Sequence, residues 1–287
     1  MPVHIAFIVL LSAVLHASWN ALLKDHDDKE ALWWAFGAVL CVWAFVHAVV
    51  AGHDLLAIAE VWPLIAASLI GQLCYGSGLI GAYRRGDLSA YYPIIRSSPV
   101  VIVIIGVLFL GSTYEWATLA GIALVVVGAF LLQFRPGIRI LDNPIALAFA
   151  LLGLLGTGIY TMADAHAVRQ VPPPVVFFWI ELLLLPLYMV VFRIYGHGAV
   201  ERRGIALLLR NPSKVVLVGL LGYASYYLVL WAFSAGGEVA GVAAIRQASI
   251  PVSVVLGGMW LGEAHFKLRL AASLMLAAGI AVIILGG

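Results

Sequence analysis

Ten long apolar stretches make up most of this sequence, and almost every charged residue lies between them rather than inside them. A helix of about 20 apolar residues crosses the roughly 30 Å hydrocarbon core of a bilayer. Backbone groups in that medium must hydrogen-bond within their own segment, so apolar stretches of this length are helical. We therefore predict an all-α membrane protein with ten transmembrane helices. The predicted spans are residues 4–23, 30–51, 62–83, 88–111, 115–134, 143–165, 172–194, 214–235, 239–261 and 267–286.

The overall composition excludes a soluble domain. Of the 287 residues, 64% are hydrophobic and 10% are charged, whereas a soluble domain carries about 25% charged residues. The net charge of +2 comes without a basic block interleaved with aromatic residues. Because nucleic-acid binding needs such a positively charged surface, we expect no nucleic-acid partner.

The Lys and Arg residues predict the orientation in the membrane, since basic residues collect in cytoplasmic loops. If the N-terminus lies outside, 13 of the 16 basic residues fall in inner loops. These residues are Lys24, Lys29, Arg84, Arg85, Arg135, Arg139, Arg193, Arg202, Arg203, Arg210, Lys214, Lys267 and Arg269. We therefore predict a multi-pass protein of the cell inner (plasma) membrane with both termini outside.

One connection, residues 195–213, is much longer than the others. It places Glu201, Arg202, Arg203 and Arg210 around the apolar run 205–209. This pattern is typical of a short amphipathic helix at the membrane surface. A solvated basic loop is the alternative.

Two parts of the chain resemble each other. Residues 82–112 and 232–263 share the order Gly-acidic, Arg, Pro and Gly, with Gly111 matching Gly262 and the Arg register displaced by one residue. A further apolar helix follows each copy. The sequence is thus predicted to consist of two repeats, residues 1–135 with helices 1–5 and residues 140–287 with helices 6–10.

The number of helices in each repeat decides their relative orientation. Five is odd, so the second repeat is predicted to run through the membrane in the opposite direction to the first. Inverted repeats of this kind are a common architecture of secondary transporters, whose substrate site lies near the bilayer midplane at the repeat interface.

Three motifs give the chain a family resemblance. They are HASWNALLK at 16–24, GDLSAYYPIIRSSP at 86–99 and LGE at 261–263. With them the sequence resembles the drug/metabolite transporter superfamily, EamA type, over essentially its whole length. The resemblance implies a ten-helix carrier of the branch that includes metabolite and amino-acid exporters. Helix 1 has no acidic residue, so the proton-coupling glutamate of the small four-helix multidrug exporters has no counterpart there.

Three ionisable residues lie well inside predicted spans: Arg96, Glu181 and Arg246. A charge at the bilayer centre costs about 2.5–3.5 kcal/mol on insertion scales, so such residues usually face a partner or a wet cavity. The functional interpretation is a cavity in which two guanidinium groups bind a carboxylate or phosphate. Alternatively, an arginine pairs with Glu181, or bonds carbonyl groups freed by Pro99 and Pro251. Glu181 as a proton site is a further alternative.

Other polar and aromatic residues inside the spans are candidates for the same cavity. His16 and Asn20 are one helical turn apart and therefore share a face. The remaining candidates are Trp19, Gln72, Tyr75, Tyr92, Ser97, Tyr226, Trp231 and Gln247. Helix packing and hydrogen bonds between helices are the alternative roles of this set. Asp164 and His166, near the outer end of helix 6, are expected to be exposed residues of the rim.

Together these features predict a secondary active transporter, an exporter or exchanger of a small polar, anionic or zwitterionic metabolite such as an amino acid. The alternative is a flippase for a polyprenyl-phosphate-linked or other lipid-linked headgroup. The loops carry no nucleophile motif and no metal-ligand spacing, so we expect neither an enzyme nor a metal or cofactor site. The expected partners are a small-molecule substrate and membrane lipid, and the expected oligomeric state is a monomer.

Overall fold

The computed structural model describes residues 1–23, 28–85, 88–133, 140–196, 198–252 and 266–286. All regular secondary structure in these ranges is helical, and they contain no β-strand. The α-helices are α1 (Val3–Leu23), α2 (Lys29–Val50), α3 (Trp62–Arg85), α4 (Leu88–Arg96), α5 (Ser98–Leu110), α6 (Trp116–Gln133), α7 (Pro144–Ala167), α8 (Pro173–Ile194), α9 (Val200–Arg210), α10 (Pro212–Ser234), α11 (Val239–Ile245) and α12 (Phe266–Leu285).

The apolar helices make this chain an all-α, multi-pass membrane protein. Within the described ranges, 7 helical stretches are long and apolar enough to cross a membrane. They are Val3–Asn20, Glu30–Val50, Leu55–Ala82, Tyr91–Leu110, Pro144–Ala167, Pro173–Ile194 and Pro212–Ser234. Shorter apolar helices cover Trp116–Leu132, Val239–Val252 and Ala271–Leu285.

The predicted fourth helix, 88–111, is broken at Ser97 into α4 and α5. Pro93 lies inside α4, and Pro99 lies in the first turn of α5. Since proline has no N–H, Pro99 cannot bond the carbonyl of Ile95 as a continuous α-helix requires. The Ser97 hydroxyl donates a hydrogen bond of 2.8 Å to the Pro93 carbonyl at the break. The regular α-helix therefore ends at Arg96 and starts again at Ser98.

The predicted ninth helix, 239–261, is interrupted in the same way. α11 ends at Ile245 and continues as a 3-10 turn over Arg246–Ala248. Pro251 leaves the carbonyl of Gln247 without its helical donor, and a 3-10 turn is a common response to such a lost bond. Residues 253–265, with the Gly262 and Glu263 of the predicted repeat, lie outside the described residues, as do Gly86 and Asp87.

The start of α11 is held by a side-chain cap. The Glu238 carboxylate accepts hydrogen bonds from the backbone N–H groups of Ala240, at 2.7 Å, and Gly241, at 2.6 Å. Burial raises the pKa of Glu238, while these two N–H groups favour its ionised form and oppose that shift. The cap fixes where α11 begins and hence where Arg246 falls at its end.

Glycines let α3 and α7 pack with their backbones in contact. A Cβ atom at Gly78 would lie 2.3 Å from the Gly153 nitrogen, and one at Gly156 would lie 2.5 Å from the Gly71 oxygen. The α6–α12 pair is equally close, because a Cβ at Gly279 would lie 2.7 Å from the Gly121 oxygen. Small residues at such crossings are typical of membrane helices, where close packing drives association.

The end of the bundle opposite the chain termini carries ion pairs between helices. Arg84 of α3 bonds Glu30 of α2 at 3.0 Å, and Arg203 of α9 bonds Asp28 at 2.6 Å. The connection 195–213 contains the helix α9 (Val200–Arg210), so it adopts a short helix rather than the loop that was the alternative. α9 packs Gly204 against Trp34 of α2, while Ile205 and Leu209 are exposed.

Candidate functional site

A cavity lies among α1, α2, α3, α4, α5, α7, α8, α10 and α11. It holds about 1270 Å³ of space between atoms, its mouth included. Its walls include Gln72 and Glu181, each close to the middle of its helix. The cavity is therefore inside the membrane-spanning part of the bundle.

Arg96 reaches this cavity from the break between α4 and α5. Its Nη2 donates a hydrogen bond of 2.5 Å to the Ser249 hydroxyl, and its guanidinium carbon lies 5.6 Å from the centroid of the Tyr92 ring. The buried Nε has no hydrogen-bond partner within the described residues. Tyr92 thus supports the cation from one side, and the guanidinium retains donor capacity for a ligand.

Arg246 occupies the corresponding place at the break after α11. Its guanidinium carbon lies 5.2 Å from the centroid of the Tyr226 ring, and its buried Nε likewise has no hydrogen-bond partner among the described residues. In the part of the chain that the structure describes, no ion pair joins Arg96 or Arg246 to a carboxylate. Neither arginine therefore forms the ion pair with Glu181 that the sequence left open as an alternative.

Glu181 lines the cavity from α8, opposite a glycine of α2. Its Oε2 lies 3.3 Å from the position that a Cβ atom of Gly37 would take. Two guanidinium groups and one carboxyl thus border the same space, so the lining carries an excess of positive charge. A lining of this kind produces a positive potential in the cavity.

His16 contributes a nitrogen to the wall from α1. Its Nε2 is 3.0 Å from the Asn20 amide nitrogen, while its buried Nδ1 has no partner among the described residues. Trp19 packs edge-on against the His16 ring at 5.0 Å and stacks on Phe36 at 4.7 Å. Asn20 therefore orients the imidazole without lining the cavity itself.

Aromatic rings form much of the remaining wall. The Tyr75 ring lies 6.3 Å from Trp33 and 5.9 Å from Tyr160, and Trp33 is 6.3 Å from Tyr188. Ring pairs at these separations prefer tilted or edge-to-face arrangements. The charged groups therefore face a wall suited to the apolar part of a small ligand.

The structure brings together most of the residues that the sequence singled out. Those that line the cavity are Arg96, Arg246, Glu181, His16, Trp19, Gln72, Tyr75, Tyr226 and Gln247. Four are not part of its lining: Asn20, Tyr92, Ser97 and Trp231. Asn20 bonds His16, Tyr92 lies against Arg96, and Ser97 bonds the helix backbone at the break. Gln247 donates to the Ala243 carbonyl at 3.2 Å and leaves its buried Oε1 without a partner in the described ranges.

Several lining residues escaped the sequence reasoning. They are Trp33, Trp34, Thr157, Tyr160, Thr161 and Tyr188. Each lies in an apolar helix in which aromatic and threonine residues are ordinary packing groups, so only their spacing relative to Glu181 or to the glycines could have indicated them.

Asp164 is the clearest correction. It was expected at an exposed rim, yet it is completely buried in α7 and accepts a hydrogen bond from the Tyr226 hydroxyl. Its neighbour His166 is partly buried, and the His166 Nδ1 lies 2.8 Å from the Met162 carbonyl oxygen. A position near a helix end does not imply exposure when α3 and α10 both pack across that end.

Known proteins agree with this architecture. Residues 4–134 match the model of the EamA-like transporter family. Among solved structures, 28 chains match the fold, and one crystal structure covers 98% of this chain and 96% of its own chain with a TM-score of 0.75. Its sequence is 17% identical, so the likeness concerns the fold alone. No curated protein sequence matches the chain.

Proposed function

Because this chain belongs to the drug/metabolite transporter superfamily, we propose that it is a secondary active transporter of a small anionic or zwitterionic metabolite such as an amino acid. The cavity among the helices is the proposed substrate site, and alternating access around it is the proposed mechanism. EamA family members are transporters rather than enzymes, which agrees with a role without catalysis.

One observation carries the substrate class. Arg96 and Arg246 both border the cavity, and neither is paired with a carboxylate in the described part of the chain. A guanidinium inside a membrane protein is costly unless it has a partner or a wet surface. A carboxylate or phosphate of the cargo supplies such a partner in a planar, bidentate geometry. Glu181 across the cavity suits an ammonium group of the same cargo.

Helix pairing supports the proposal of ten spans in two inverted repeats, residues 1–135 and 140–287. The most extensive helix contacts are α3 with α7, α6 with α12, α1 with α10 and α2 with α8. An inverted five-helix repeat relates α1 to α7, α2 to α8, α3 to α10 and α6 to α12. That operation turns the α3–α7 pair into α10–α1 and maps the other two pairs onto themselves. The Arg-bearing breaks after α4 and α11 are equivalent in the same sense.

The proposed cellular arrangement is a monomer in the inner membrane with both termini outside. The ion pairs of Arg84 with Glu30 and Arg203 with Asp28 lie at the end of the bundle that this orientation assigns to the cytoplasm. The ion pair of Arg193 with Glu201 of α9 lies at the same end.

A ligand screen of the purified protein tests the substrate class. We expect an amino acid or a related small carboxylate or phosphate to raise the unfolding temperature, because a ligand that binds the folded state stabilises it by about 2.7 kcal/mol at 100 times its Kd. The screen compares amino acids, monocarboxylates, nucleotides and sugar phosphates, with neutral sugars and quaternary amines as controls. Stabilisation by cations alone contradicts the proposal.

Exchange by proteoliposomes then tests transport. Vesicles preloaded with the stabilising compound should accumulate the radiolabelled form transiently by counterflow, while protein-free vesicles should not. Binding without counterflow contradicts a carrier. Stabilisation by a polyprenyl phosphate, with none by soluble anions, indicates the lipid flippase instead.

A further inference from the structure

Asp164 and its hydrogen-bond partner Tyr226 lie next to the cavity. The Asp164 carboxyl is a buried polar group that the proposed substrate site does not use. Asp164 is 0% exposed and does not line the cavity, whereas Tyr226, which donates to its Oδ2, does line it. The other carboxyl oxygen, Oδ1, is buried without a hydrogen-bond partner among the described residues. Ser68 of α3, also 0% exposed, is the neighbouring polar side chain, and its hydroxyl favours the ionised carboxyl without reaching well-formed hydrogen-bond geometry in the described residues.

We propose that Asp164 is a proton-binding site of this protein, connected to the cavity through the Tyr226 hydroxyl. The inference deepens the proposed transport function and rests on it, since it names the ion that is coupled to the cargo. The physical basis of the proposal is the poor solvation of the ionised Asp164 carboxylate. A buried carboxylate whose Oδ1 accepts no well-formed hydrogen bond among the described residues is under-solvated, whereas a neutral acid needs fewer partners and can donate from Oδ1.

The groups around Asp164 determine how stable its ionised form is. The carboxylates of Asp164 and Glu181 of α8 repel each other, Tyr160 of α7 interacts electrostatically with Asp164, and Tyr226 of α10 donates its hydroxyl to the Asp164 carboxyl. The guanidinium carbon of Arg246 lies 5.2 Å from the centroid of the Tyr226 ring, and Arg246 forms no ion pair with Asp164 within the described residues. No neighbouring cation therefore neutralises the carboxylate directly.

The proton transfer is a simple exchange of O–H bonds. The Tyr226 hydroxyl gives its proton to Oδ2 of Asp164 and takes another from solvent that enters the cavity. One O–H bond forms on Asp164, one breaks and re-forms on Tyr226, and the carboxyl changes from −1 to neutral. The phenol is thus a relay and its own charge is unchanged at the end of the step.

The same geometry couples the proton to an anion. A carboxylate of the cargo bound at Arg246 brings negative charge close to Asp164 and therefore favours its protonation. By linkage, protonation of Asp164 favours the anion by the same factor. The proposed coupling is therefore joint binding of the proton and an anionic group, rather than competition between them.

Infrared difference spectroscopy of the full chain in nanodiscs, with protons as the only ligand, tests the site. A titration from about pH 4 to about pH 10, which covers the range of buried carboxyl groups, should show the C=O band of a protonated carboxylic acid. Glu181 is a second buried carboxyl group that can contribute to this band, so we expect Asp164→Asn to remove one titrating component and Glu181→Gln to leave that component in place. Asparagine can still accept the Tyr226 hydrogen bond, so its unfolding temperature should stay close to that of the wild type.

Two tyrosine variants test the connection without changing the carboxyl. Tyr226→Phe should shift the band frequency, because it removes the hydrogen bond to Oδ2, whereas Tyr75→Phe on the same cavity wall should leave it in place. An unchanged titrating band in Asp164→Asn overturns the proposal, as does an unshifted band in Tyr226→Phe or a band that does not respond to pH. The ligand screen is read separately, so a cavity that binds anions without this band rejects the proton site alone.

Discussion

Arg246→Gln and Arg96→Gln should each remove most of the ligand-induced stabilisation found in the screen. Glutamine keeps much of the side-chain length and some hydrogen-bonding capacity but loses the charge and the planar fork of donors. Truncating one partner of a buried, hydrogen-bonded charge pair costs about 2–5 kcal/mol, which weakens binding by roughly 30-fold or more. At 100 times the wild-type Kd, the stabilisation should fall from about 2.7 to below about 1 kcal/mol. Thermal unfolding with and without the ligand measures this change.

Arg210→Gln is the matched control for charge. Arg210 lies at the exposed end of α9, outside the cavity lining, so its loss changes the net charge equally without touching the site. We expect the ligand to raise the unfolding temperature of this variant as much as it raises that of the wild type. An unchanged shift in both cavity variants would reject the two-arginine site, and equal losses in all three would point to a general effect of charge.

The second large effect is expected at the α3–α7 contact. Gly78→Ala places a Cβ atom 2.3 Å from the Gly153 nitrogen, and Gly156→Ala places one 2.5 Å from the Gly71 oxygen. Backbone atoms cannot rotate away, so the two helices must separate along their crossing. We expect each variant to lose about 3 kcal/mol, the upper range for overpacking. Unfolding by heat or by denaturing detergent in mixed micelles measures the loss.

Gly153→Ala is the control at the same crossing. Its Cβ would first meet Ile95 Cγ1 at 3.4 Å, an ordinary contact with a side chain that can adjust. Alanine also favours a helix over glycine by roughly 0.5–1 kcal/mol. We therefore expect a small effect of either sign. Equal losses of stability in Gly153→Ala and Gly78→Ala would contradict the interpretation that these glycines allow the close approach of the two helices.

The positions of the membrane helices could be read from the sequence because burial in lipid depends on the apolar character of each segment by itself. The apolar spans around α1, α2, α3, α7, α8 and α10 begin and end close to their predicted limits. The two helices that differ, 88–111 and 239–261, contain prolines whose effect depends on the neighbouring chain. Proline in a membrane helix can bend it or break it, and the packing around Ser97 and Arg246 decides which.

The cavity was only partly predictable. Arg96, Arg246 and Glu181 stand out in sequence because each is costly in an apolar segment, and all three border the same space. Tyr160 and Tyr188 do not stand out, because an aromatic residue is at home in both lipid and protein. Trp231 was expected in the cavity and does not line it, since nothing in one sequence gives the rotation of α10 about its axis.

The sequence by itself thus determined which segments lie in the membrane and which charges are out of place, because those properties are sums over individual residues. Only the tertiary structure decided which face of each helix is buried and which residues of different helices are in contact. It alone placed Asp164 at zero exposure beside Tyr226 and left both cavity arginines without a carboxylate partner among the described residues. Those outcomes depend on contacts between helices far apart in the chain, which the transfer energy of a single segment does not contain.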